Sequence, residues 1–146
     1  MLIQNTLNAV ISGSTLSEFD YPSCSFKRIC IKLSDHINHF DESTSLNTLA
    51  VGSSDFKVRI IDKESLAIPL TLSDHHAPIL SVAYSGGNDE FLASSSCDST
   101  VRLWSTKDGK CVSTFGRVLP KSNDVSNSVT LARLQFSPDS KVRILL

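Results

Sequence analysis

Residues 49–62 (LAVGSSDFKVRIID) return 43 positions later as residues 92–105 (LASSSCDSTVRLWS). Six pairs are identical across that interval: Leu49/Leu92, Ala50/Ala93, Ser53/Ser96, Asp55/Asp98, Val58/Val101 and Arg59/Arg102. Each copy reads as two short alternating strands around a tight turn, and a fixed period of about 40–45 residues predicts the blades of a β-propeller. A blade cannot bury its own faces, so its neighbours must stack on it. The period therefore decides the fold, and it points to a binding surface before any catalytic chemistry.

Working outward, the 146 residues hold about 3.4 such periods, fewer than the roughly 4–8 blades of a closed propeller. The expected fold is all-β: an incomplete propeller with two near-complete four-stranded blades flanked by partial ones, read as an arc of a larger propeller. The divisions fall at 1–25 (a partial preceding blade), 26–73, 74–116 (the best-preserved blade) and 117–146, an inserted loop and the start of the next blade.

In the best blade the expected strands are 79–84 (ILSVAY), 91–96, 100–105 and 110–115 (KCVSTF), joined by turns at Gly86-Gly87-Asn88, 97–99 and Lys107-Asp108-Gly109. In the preceding blade, 28–33 (RICIKL) is predicted as the inner strand, 46–53 and 57–62 as the central hairpin and 66–72 as the outer strand. Residues 34–45 are read as a long polar connection. Residues 7–11 and 15–19 form an earlier hairpin, while 131–136 and 142–146 open a later blade. The insertion 116–130 (GRVLPKSNDVSNSVT) should stand on the same face as the 97–99 turn, where loops carry recognition. Its Arg117, Lys121, Asn123 and Asp124 are the candidate partner-binding residues.

Apolar content of 40% and charged content of 20% fit a globular chain. No window approaches the roughly 18 apolar residues of a membrane span, so no membrane partner is expected. The four cysteines (Cys24, Cys30, Cys97, Cys111) contain no CxxC pair and predict ordinary thiols. A net charge of −1 conceals an asymmetry. Residues 1–99 carry 6 basic and 12 acidic side chains, whereas 100–146 carry 8 basic and 3 acidic. A basic final third makes a nucleic-acid surface an alternative to a solvated outer face. Phosphate-loop, dinucleotide and zincin motifs are lacking, and no cofactor is expected. His36 and His39, near Asp35, Asp41 and Glu42, have zinc-compatible chemistry but read better as a polar loop.

Chemistry concentrates in the best blade. His75 precedes its first strand, Ser94 lies on the second, Asp98 in the hairpin turn and Trp104 on the third. A buried aspartate is costly unless hydrogen-bonded, and a histidine, a serine hydroxyl and an indole N–H can complete such a network. Either Ser94 or Ser96 can supply the hydroxyl. A Ser/His/Asp set also suggests nucleophilic catalysis, but a serine in mid-sheet has no oxyanion donors, so the set is assigned to structure. The preceding blade keeps Asp55 but has Val51 and Ile61 in place of the serine and tryptophan.

The string from Asp74 to Trp104, DHHAPILSVAYS followed by FLASSSCDSTVRLW, resembles a WD repeat. It departs from the pattern at Asp74, where the family has glycine, and at Trp104-Ser105 in place of Trp-Asp. His75, Ser94, Asp98 and Trp104 match that family's structural tetrad. More narrowly, AVGSSDFKVRIID, HAPILS and the later SNDV resemble the N-terminal propeller of the WD-repeat and HMG-box (acidic nucleoplasmic) DNA-binding proteins. That resemblance covers residues 7–146. It implies a nuclear, non-enzymatic scaffold that links the replicative helicase to DNA polymerase α, with possible DNA contact. An adaptor of some other complex is the alternative.

Overall fold

The structure is a computed structural model that describes residues 9–20, 23, 25–43, 45–116, 133–136 and 142–145. Thirteen strands are present among them: β1 (Ala9–Ser12), β2 (Thr15–Asp20), β3 (Ser25–Lys32), β4 (Ile37–Ser43), β5 (Thr48–Ser53), β6 (Val58–Asp62), β7 (Leu70–Leu72), β8 (Ile79–Tyr84), β9 (Phe91–Ser96), β10 (Val101–Ser105), β11 (Cys111–Phe115), β12 (Arg133–Phe136) and β13 (Val142–Leu145). They form four antiparallel meanders, ordered β1-β2-β3, β4-β5-β6-β7, β8-β9-β10-β11 and β12-β13. The sheets have the form of propeller blades, and the described strands do not close a ring. No described helix is long and apolar enough to cross a membrane.

The period survives in the register. Val51 faces Arg59 across β5–β6, as Ser94 faces Arg102 across β9–β10. Both hairpin turns place the residue after the aspartate in the left-handed region: Phe56 at φ +71° and Ser99 at φ +66°. Strands β8 and β9 are buried at nearly every position, on both faces, as expected of a blade covered on both sides.

The core lies between sheets. One cluster joins Ala50, Val58, Ile60 and Leu72 of the second sheet to Ile79, Val82, Tyr84, Leu92 and Trp104 of the third. A second joins Leu16 and Cys30 to Ile37, Leu49, Val51 and Ile61. The third packs Ala83, Ala93 and Val101 against Leu134. Each of the three clusters is thus shared by two adjacent blades. Cys30 is buried, Cys97 exposed and Cys111 half-buried, all as free thiols.

Two expectations for the second blade are corrected. Residues 28–33 do not form its inner strand, because β3 pairs with β2 and completes the first sheet. The inner strand is β4, within the stretch read as a polar connection. Its polarity has a physical cause. Asn38 donates to the Ile79 carbonyl (2.8 Å), His39 Nδ1 accepts from the Val82 N–H (3.3 Å), and Asp41 accepts from the Tyr84 N–H (2.7 Å). These side chains satisfy the backbone edge of β8. Ser81 of β8 does the same one blade further on, accepting from the Leu134 N–H at 3.1 Å.

Candidate functional site

The segment before β8 carries His75 into the third blade, and β9, the β9–β10 turn and β10 carry Ser94, Asp98 and Trp104 to meet it. His75 Nδ1 lies 2.9 Å from Asp98 Oδ2, and His75 Nε2 lies 2.7 Å from Ser94 Oγ. Trp104 Nε1–H donates to the same Ser94 oxygen at 2.8 Å. The carboxylate can only accept, so Nδ1 carries the proton and Nε2 accepts from the serine hydroxyl. The hydrogen bonds therefore run in one direction, from indole to hydroxyl to imidazole to carboxylate.

Burial pushes the His75 pKa down, against the pull of Asp98, and so favours the neutral ring this pattern requires. Burial alone would raise Asp98. Hydrogen bonds from the Thr100 hydroxyl, the His76 N–H and His75 outweigh it and hold the carboxyl far below the ordinary range. Ser94 is fully buried and Trp104 2% exposed. No substrate can reach this serine, and the indole is wedged against the second blade. Such a network can lock a turn to a sheet and a sheet to its neighbour. Ser96 stands apart from it. The Ser96 hydroxyl donates to the Ala77 carbonyl and accepts from the Asp98 N–H, which closes the turn.

The second blade replaces the network. Its Asp55 is bound by Arg59, with Nη2 at 2.5 Å from Oδ2 and Nη1 at 3.2 Å from Oδ1, and by the Ser53 hydroxyl. Arg102, the counterpart of Arg59, turns instead to Asp74 at 3.6 Å because His75 occupies Asp98. Lys32 stands where the repeat would put a second His75. Losing the histidine therefore redirects the arginine.

Asp89 carries no signal in the sequence, yet it ties two blades. Its buried carboxylate accepts from Ser43 Oγ (2.6 Å) and Ser45 Oγ (2.7 Å) of the second blade, and from its own Gly86 N–H at 2.8 Å. Beside it, Thr48 and Tyr84 hydroxyls pair across the same junction at 2.9 Å. A lone aspartate after Gly-Gly-Asn reads as a turn residue; only the stacking of blades shows its second role. Of the insertion, only Gly116 is among the described residues; Arg117, Lys121, Asn123 and Asp124 lie outside them. His36 is exposed beside Gly13, while the His39 ring is directed at Val82.

Comparison with known proteins gives a match to the WD domain, G-beta repeat family over residues 68–105. The chain is 36% identical over 132 residues, 90% of its length, to the WD repeat and HMG-box DNA-binding protein 1 of Mus musculus. It is 33% identical over 129 residues, 88% of its length, to the Xenopus laevis protein of that name. The E3 ubiquitin-protein ligase COP1 of Arabidopsis thaliana is 41% identical over 71 residues, 49% of the chain and 10% of that protein. The chain spans 12% of the mouse relative and 11% of the frog one.

Proposed function

From a chain that carries a WD40 repeat, we propose a non-catalytic interaction scaffold that works in the nucleus during DNA replication. In this reading it couples the replicative helicase to DNA polymerase α, as an adaptor without turnover or cofactor. The observation that carries it is the similarity to WD repeat and HMG-box DNA-binding proteins along about 90% of the chain. The COP1 likeness covers only about half the chain and is a likeness of WD repeats in general. The buried hydrogen-bond network agrees with a scaffold, since its chemistry is turned inward and leaves the loops to meet partners.

Within this reading His75, Ser94, Asp98 and Trp104 hold the third blade together. Arg117, Lys121, Asn123 and Asp124 are the proposed partner contacts. The test is recovery of the endogenous protein from replicating cells, followed by probing for helicase and polymerase α subunits. Their presence supports the adaptor; their absence, with subunits of a ubiquitin ligase in their place, replaces it with the general one. DNA contact by the basic final third is the second reading, favoured by its 8 basic against 3 acidic residues. It requires affinity that falls steeply with salt, with a log–log slope of about −0.9 per phosphate neutralised.

A further inference from the structure

Two threonines stand at equivalent places on the outer strands of the second and third blades. Thr71 of β7 faces Arg59 of β6, and Thr114 of β11 faces Arg102 of β10. Both threonines are exposed. Residues directly opposite each other in an antiparallel pair hold their Cβ atoms about 4.5–5.5 Å apart. A group added to either hydroxyl therefore lies within reach of the guanidinium across from it.

The two arginines differ in what they already hold. Arg59 is fully engaged, with Nη2 2.5 Å from Asp55 Oδ2, and Nη1 3.2 Å from Asp55 Oδ1 and 3.1 Å from Ser53 Oγ. Arg102 is loosely held. Its Nε–H is shut off from solvent and has no partner among the described residues. Its Nη1 meets the Cys111 thiol at 3.8 Å and Asp74 Oδ2 at 3.6 Å, on an aspartate side chain that is 57% exposed. Lys110, close by in sequence, is already paired with Asp108 at 3.1 Å. A guanidinium presents a fork of donors that matches a phosphate, and a donor shut away without an acceptor is unfavourable until one is supplied.

The hydroxyl that can supply one stands beside it. Thr114 Oγ1 lies 3.5 Å from Cys111 Sγ, the same sulfur that Arg102 Nη1 approaches. Strand β11 is outermost in its sheet, so it offers an extended backbone with an open edge to a second protein. The neighbouring Ser113 pairs with Leu103 and belongs to the other face.

We infer that Thr114 is a phosphorylation site and that Arg102 receives the phosphate. A protein kinase supplies ATP. Thr114 Oγ1 attacks the γ-phosphorus and forms the new O–P bond, the bond from that phosphorus to the β,γ-bridging oxygen breaks, and ADP departs. The hydroxyl proton passes to a base of the kinase. The added group carries about −1.5 to −2 charges at neutral pH. It draws Arg102 away from Asp74 and ties the outer strand to β10 through charge-assisted hydrogen bonds. The inference goes beyond the scaffold reading and does not depend on it.

The first measurement is made on the endogenous protein, recovered from growing cells with phosphatases inhibited and digested with trypsin. Cleavage after Lys110 and Arg117 frees residues 111–117 (CVSTFGR), whose fragment masses separate Ser113 from Thr114. Phosphate on Thr114 is expected. Recovery of the peptide in unmodified form only, or with its phosphate on Ser113, would overturn the inference. The second measurement asks what holds the group, with phosphothreonine built into the full chain at position 114 and its second ionisation followed by phosphorus NMR. A free phosphothreonine loses that proton near about pH 6. Arg102 should lower the value by about 0.5 or more relative to Arg102→Gln, with Arg102→Lys between the two. Phosphothreonine at position 71, opposite the engaged Arg59, should stay near the free value, and it serves as the comparison if Arg102→Gln does not fold. Equal values at the two positions, or no rise with Arg102→Gln, would remove Arg102 as the receiver of the phosphate.

Discussion

At His75 the two ring nitrogens serve opposite chemistries, one donating to Asp98 and the other accepting from Ser94. Removing the hydroxyl with Ser94→Ala orphans both the His75 Nε2 and the Trp104 N–H in a dry interior. Stability should fall by about 2–4 kcal/mol, measured by urea unfolding, since each stranded buried group costs about 1–3 kcal/mol. Trp104→Phe combined with Ser94→Ala should cost less than the sum of the two, because they share one bond. Protonation offers a second probe. Folding lowers the His75 pKa, so the protein binds that proton more weakly folded than unfolded. The stability this confers is present above the unfolded pKa of about 6.5 and is lost as pH falls towards the folded value. Unfolding free energy measured from pH 7 to pH 5 should decline, and His75→Gln should flatten the slope by up to one proton. Asp98 adds a later loss, below about pH 3.9, because its folded pKa is depressed.

Among the elements, β5 and β8 meet so closely that a Cβ on Gly52 would come within 2.5 Å of Ile79 Cγ2 and 3.2 Å of Val82 Cγ1. Gly52→Ala should destabilise by about 1–3 kcal/mol through overpacking. Much of that penalty should vanish against an Ile79→Ala background, as a double-mutant cycle would read. The strands of the third blade were legible because alternation, glycine turns and the 43-residue echo agree there. The inner strand of the second blade was hidden for the opposite reason. The polar side chains of β4 serve the backbone of β8, so an inner strand reads like a loop. RICIKL misled because any apolar alternation fits a strand without saying which sheet it joins. His75, Asp98 and Trp104 stood out by residue type and spacing. Ser94 and Ser96 share one face of β9, and the choice between them needed their neighbours in space, His75 beside Ser94 and the Ala77 carbonyl beside Ser96. Arg59 was visible only as a repeat identity, because Lys32 at the place of His75 shows that the histidine is missing without showing what takes its place at Asp55.

Across the whole molecule, stability resides at junctions, since each of the three apolar clusters draws on two sheets. Asp89 ties the second and third blades through Ser43 and Ser45. Asp89→Ala should therefore speed amide exchange in β4 and β8 together, with global stability falling by about 2–4 kcal/mol. Exchange confined to residues 86–91 would instead mean that the blades open independently. The polar links between inner strands also have a temporal meaning. His39 and Asp41 wait for backbone donors at Val82 and Tyr84, each 43 residues downstream, and Ser81 waits for Leu134. On a ribosome adding about 5–20 residues per second, those acceptors stay open for about 2–11 s. Each blade is thus finished by the one made after it, and the nascent chain sets in order from its first-made end.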